Sequence, residues 1–194
     1  MERATLKAAA KKQIKGKIGI LFLISLVIGL IVSALNCIPV VGQIAAMLLS
    51  SAFVLATIDI YLGVTEGRKP ELKDIFSQLK NILPAFCTQF LAGLFICLWS
   101  LLLVIPGIIK TCSYSQAMYI LADNPGISPK EAINKSKEMM EGHKMEYFIL
   151  SLSFFGWALL GAFTMGILYI WLLPYMQATF ANYYKSLKGE FHAE

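Results

Sequence analysis

Charge is scarce in this sequence: 15% of its 194 residues are Asp, Glu, Lys or Arg, while 57% are hydrophobic. With a mean hydropathy of +0.66, the chain carries more apolar surface than one or two soluble domains of this length hide from water. Uncharged runs of about 18 or more residues recur, the length needed to cross a hydrocarbon core roughly 30 Å thick. Lipid is the expected solvent.

Histidine and cysteine are also sparse. The two histidines, His143 and His192, belong to no metal-spacing motif such as HExxH. The four cysteines, Cys37, Cys87, Cys97 and Cys112, have no CxxC spacing, and all but Cys37 lie in apolar segments, where a free thiol acts as a small hydrophobe. No two carboxylates fall together in an apolar run, and neither a Gly-x-Ser-x-Gly turn nor a phosphate-cradling glycine loop is present. These gaps argue against an enzyme, a metal site or a cofactor. The net charge of +5 comes without any nucleic-acid-binding motif.

What is present is a series of six apolar segments, about Ile18–Asn36, Val40–Leu62, Ile82–Ile105, Gly107–Ala122, Glu146–Gly161 and Met165–Tyr184. The expected fold is all-α: a six-span membrane bundle of three hairpins over 18–184, with a basic helix over 1–17 before it and a short tail over 185–194 after it. The basic stretch from Arg3 to Lys17 is long and its apolar run is followed by more spans, so the first segment should remain a helix and not be removed as a signal. Lys and Arg cluster before the first span and after the second, fourth and sixth, whereas the turns at Cys37–Pro39, Ile105–Gly107 and Ala162–Thr164 carry no charge. That asymmetry predicts cytoplasmic termini, with Tyr61, Tyr147, Tyr183 and Tyr184 in an inner aromatic belt.

Each basic region also has helical periodicity. Leu72, Ile75, Phe76 and Leu79 recur at i, i+3, i+4, i+7 within Pro70–Lys80. In Ser128–Glu141, Ser128 is an N-cap candidate, Pro129 fits the first helical position, Glu131 completes a capping box, Gly142 ends the helix, and Ile133, Met139 and Met140 supply an apolar side. In the N-terminal helix Arg3, Lys7, Lys11 and Lys15 form one ridge and Leu6, Ala10 and Ile14 another. The basic ridge is the expected contact with anionic phospholipid headgroups. The chain thus reads as three copies of an amphipathic helix followed by a hairpin.

Small residues form two stripes at i, i+4, i+8: Ser25, Gly29 and Ser33, then Gly42, Ala46 and Ser50. Such stripes let helices approach in lipid, either within the first hairpin or between two copies of the chain. Two ionisable residues fall inside spans, Asp59 and Lys110, at different depths, so each is expected to reach its nearer interface. The fourth span is unusually polar, with Lys110, Tyr114, Gln116 and Tyr119, and the sixth carries Pro174, which should kink it, beside Tyr175 and Gln177. A polar cleft between these spans and plain interhelical hydrogen bonding are both open.

The stretches Leu98–Leu102, Val104–Lys110, Tyr114-Ser115, Tyr119-Ile120, Ser136–Lys144 (SKEMMEGHK), Leu152–Phe154, Gly156-Trp157 and Pro174-Tyr175 resemble the bacterial integral membrane proteins grouped as domain-of-unknown-function family 975. The resemblance covers nearly the whole chain. It implies a multi-pass protein of the bacterial cytoplasmic membrane and lends no catalytic residue. The functional expectation is a non-enzymatic scaffold or accessory protein that meets lipid, a partner membrane protein or its own copies; the alternative is a small-solute or lipid transporter using the polar cleft.

Overall fold

A computed structural model describes residues 3–164 and 166–190; His192, the end of the tail and Met165 at the head of the sixth segment lie outside them. Every regular element among the described residues is helical: α1 (Arg3–Ile14), α2 (Ile18–Asn36), α3 (Val41–Thr65), two 3-10 turns (Leu72–Phe76 and Leu79–Asn81), α4 (Ile82–Leu102), α5 (Val104–Tyr114), α6 (Ala117–Asp123), α7 (Pro129–Met139), α8 (Lys144–Phe163) and α9 (Tyr169–Lys188). Three stretches among them, Ile18–Asn36, Val41–Thr65 and Leu72–Leu101, are long and apolar enough to cross a membrane.

Where consecutive long helices turn back, a glycine lets them touch. A Cβ on Gly42 would run into the Leu35 carbonyl oxygen and the Ile38 side chain, and one on Gly107 would run into Ser100. Gly161 lies under the ring of Tyr169, whose hydroxyl donates to the Ala158 carbonyl at 2.7 Å. In the first turn Val40 takes φ 58°, and the Val41 N–H reaches back to the Pro39 carbonyl at 2.7 Å, a γ-turn that a β-branched residue adopts under strain.

Burial is uneven along the helices. The core gathers the half of α3 from Ser51 to Val64, with Ile120 and Leu121 of α6 and Ala178, Ala181 and Tyr184 of α9. The ends nearest the turns carry bare apolar side chains instead: Leu101 is 85% exposed and Phe163 83%. Side chains so placed are stable only against an apolar surround.

Several expectations are corrected here. The fourth segment, Gly107–Ala122, is not one helix; it breaks at Ser115–Gln116 into α5 and α6. The Ser115 hydroxyl bonds back to the Cys112 carbonyl at 2.8 Å, occupying the acceptor that a continuing helix would offer to Gln116. Pro70–Lys80 forms 3-10 turns and no α-helix: the Asp74 carboxylate accepts from the Glu71 N–H at 3.0 Å, a local closure that competes with helix. Of its four apolar residues only Ile75 is buried, while Leu72 and Phe76 are exposed.

The tyrosines expected in a lipid-facing belt turn inward. Tyr61, Tyr183 and Tyr184 are buried, Tyr147 packs on Tyr183 and Phe180 and Tyr184 on Tyr119, and α1 lies along α9 and α3. The amphipathic helices do not present their apolar faces to a membrane surface. Leu6, Ala9, Ala10 and Ile14 of α1 are buried where it packs along α9, and Ala132, Ile133 and Ser136 of α7 are buried against α4, α5 and α6. Pro174 lies inside α9 without ending it.

Candidate functional site

The polar groups of the fourth segment are organised by its break. The Gln116 N–H, which has lost its helical acceptor, donates to the Ser136 hydroxyl of α7 at 3.2 Å, and that hydroxyl donates to the Ser113 carbonyl at 2.8 Å. Ser136 therefore bridges the gap, supplying one acceptor and one donor to backbone that no solvent reaches. The Gln116 side chain donates to the Ser115 hydroxyl at 2.9 Å, leaving its Oε1 buried without a partner among the described residues.

The remaining residues of the expected cleft fall in separate places. Lys110 extends over the Trp99 ring of α4, its Nζ 4.8 Å from the centroid, a cation–π contact. Tyr114 packs on Phe95 with the Lys137 ammonium over its ring. Tyr175 stacks on Trp171 beside the edge of Phe154, and Pro174 is buried. Only Tyr119 and Gln177 come together, lining a cavity of about 280 Å³ with Ile28, Val32, Phe53 and Thr57. Lys110, Tyr114 and Gln116 have no part in it.

Asp59 has a partner that the sequence did not suggest. Arg68 folds back along α3, donating to the Asp59 carbonyl at 2.9 Å with its guanidinium 3.5 Å from the carboxylate. Gly63 makes room, since a Cβ there would occupy the guanidinium's place. On the basic ridge, Arg3, Lys11 and Lys15 are exposed, but Lys7 turns inward. Its ammonium donates to Ser153 of α8 at 2.7 Å and sits over the Phe154 ring. Burial, and then the neighbouring Arg3 charge, hold the Lys7 ammonium below the usual lysine range.

The small-residue stripes divide. Gly42 and Ala46 are buried and Ser50 is half-buried, whereas Gly29 and Ser33 are exposed and Ser25 bonds to its own Leu21 carbonyl. Close approach of α2 and α3 thus uses the α3 stripe at the turn; the α2 stripe faces open space.

Sequence reasoning missed Ser136, although its place on the apolar face of α7, three residues after Ile133, was the available signal. It also missed a layer of ion pairs that ties the C-terminal part of α9 to the bundle. Lys185 pairs with Glu66 at 2.8 Å, and Asp123 accepts from Lys188 at 2.7 Å and from the Tyr184 hydroxyl at 3.1 Å. Asp123→Asn, which keeps the shape and removes the charge, is expected to lower stability in detergent by about 1 kcal/mol, since the pair is partly solvated. Thermal melting beside an Asn134→Ala control measures it, and an unchanged midpoint would show that the α6–α9 tie contributes nothing.

Long apolar helices and exposed apolar turn ends, in a chain whose regular elements are all helical among the described residues, mark a membrane protein. The model of the family described as "Protein of unknown function (DUF975)" matches residues 1–113 and 101–190, so the chain belongs to that family. Neither the curated proteins nor the solved structures give a match.

Proposed function

We propose that the protein is a non-enzymatic scaffold or accessory protein of the bacterial cytoplasmic membrane, with six spans in three hairpins and both termini in the cytoplasm. The observation that carries this reading is the use made of α1 and α7. Each is amphipathic and polar on one side, yet each spends its apolar face closing the bundle, α1 through Leu6, Ala10 and Ile14 and α7 through Ile133 and the Ser136 bridge. Polar side chains of the fourth segment are then dispersed among separate places instead of lining one shared path. Arg3, Lys11 and Lys15 remain free to meet anionic headgroups, each worth about 1 kcal/mol near such a leaflet.

The six-span topology is supported by Trp99 and Trp157, which are 42% and 49% exposed and lie within two helical turns of the uncharged hairpin turns, the position of an outer aromatic belt. A partner membrane protein or a second copy would bind the scaffold from the lipid side. The transporter reading keeps one supporting observation, the cavity that Tyr119 and Gln177 share.

Topology is the first test. Reporter fusions at Lys69 and Lys137 are expected to report cytoplasm, and the exposed Cys37 to react with a membrane-impermeant maleimide added outside intact cells. A periplasmic signal at Lys137 would sink the six-span arrangement.

A further inference from the structure

Within the cavity between α2, α3, α6 and α9, the chemistry of the walls restricts what fits. Ile28, Val32 and Phe53 make most of the surface apolar. Ser50 and Thr57 line it too, but their hydroxyl protons are already given to the Met47 and Phe53 carbonyls, each at 2.8 Å. Tyr119, only 8% exposed, makes a ring contact with Tyr184, and its hydroxyl has no hydrogen-bond partner among the described residues; neither has the Gln177 amide. Two hydrogen-bonding side chains thus face an otherwise oily space. Left unpaired against an apolar surround, each is unfavourable.

Water is a poor occupant. The space, about 280 Å³ and half open, with the exposed Val54 on its wall, is mostly apolar, and ordered water needs two to four polar partners apiece, far more than these walls supply. A bare acyl chain would match the apolar part and leave Tyr119 and Gln177 unpaired. No charged side chain lines the cavity, so a phosphate or carboxylate head would be stripped of solvent with nothing to neutralise it.

We propose that this cavity is a binding site for the head-proximal part of a neutral hydroxyl- and ester-bearing amphiphile of the acylglycerol type. Tyr119 and Gln177 take the hydroxyl and carbonyl, and the chain lies along Ile28, Val32 and Phe53. The volume lies at the lower edge of ordinary ligand sites and suits one glycerol ester with the first part of its chain. The inference rests on the membrane-embedded reading and gives the proposed scaffold one specific lipid.

The test uses the full-length protein in detergent with monoacylglycerol bearing a diazirine close to the head, photolysed and mapped by peptide mass spectrometry. Labelling is expected on the α2 and α3 segments holding Ile28, Val32 and Phe53. Excess monooleoylglycerol should compete it away and oleate should not. Tyr119→Phe combined with Gln177→Leu is expected to reduce labelling about thirtyfold, two hydrogen bonds of roughly 1 kcal/mol each being lost. Val32→Phe, which fills the space and keeps both polar groups, should reduce it as far. Melting temperatures establish that each variant is folded, and carbonate extraction of membranes tests the embedded reading separately. Equal labelling of these segments by phosphatidylcholine with a diazirine in its acyl chain would assign the space to bulk lipid. Labelling that is not saturable, or that persists undiminished in either folded variant, would overturn the proposal.

Discussion

Ser136→Ala is expected to cost at least about 2 kcal/mol of stability and to be the most damaging single-atom deletion on α7, because it strands the Gln116 N–H and the Ser113 carbonyl together. Hydrogen bonds between helices in membrane proteins average only about 0.6 kcal/mol when the unfolded state can re-pair the same side chains. Here the groups stranded are backbone at a helix break, held where Ser136 and Gln116 are both 0% exposed, so the desolvation penalty of each dominates. Ser77→Ala removes a comparable hydroxyl contact, to the Asp74 carbonyl, on an exposed turn, and is the control. The two variants and the parent would be compared by thermal melting in the same detergent. Equal midpoints for Ser136→Ala and Ser77→Ala would mean that the break is held by something other than the α7 bridge.

Gly42→Ala is the second large effect, expected at about 2–3 kcal/mol, in the range of overpacking a well-filled contact. The added carbon meets the Leu35 carbonyl oxygen, which is backbone and has no rotamer by which to leave. Relief would require opening the α2–α3 turn, where Val40 is already held at positive φ. Gly29→Ala is the matched comparison: it belongs to the companion stripe, has nothing within 4 Å of the new carbon, and should stabilise α2 by up to about 1 kcal/mol through helix propensity. The measurement is again the melting midpoint, together with the yield of folded protein. If Gly29→Ala is the worse of the two, α2 packs through its own stripe against something that this chain does not supply.

Much of the local structure could be read without coordinates. The Ser128 oxygen does accept the Glu131 N–H, at 3.3 Å, Pro129 does open α7, and Gly142, at φ 81°, lies between α7 and α8. The bounds of α2 agree with the apolar run Ile18–Asn36. Each of these depends on residues within a turn or two of one another, and capping, propensity and hydrophobic run length are local quantities. The same locality explains the failures. Leu72, Ile75, Phe76 and Leu79 have the spacing of a helix, but the Asp74–Glu71 closure and the burial of Ile75 alone decide otherwise.

From its order of residues alone, the chain determined an all-helical fold that needs an apolar surround, the positions of its long helices, and the amphipathic character of α1 and α7. The amphipathic faces did not determine what would cover them. Interior and bilayer are equally apolar solvents for Leu6 or Ile133, and only packing against α9 and α6 chose the interior. Nor did polarity along Lys110 to Tyr119 say which groups would meet. Ser136 reaches the break from 20 residues away, Arg68 returns to Asp59 over Gly63, and Gln177 arrives opposite Tyr119 from another helix altogether. Those pairings are set by the relative placement of helices, a property of the whole folded chain that no window of sequence contains.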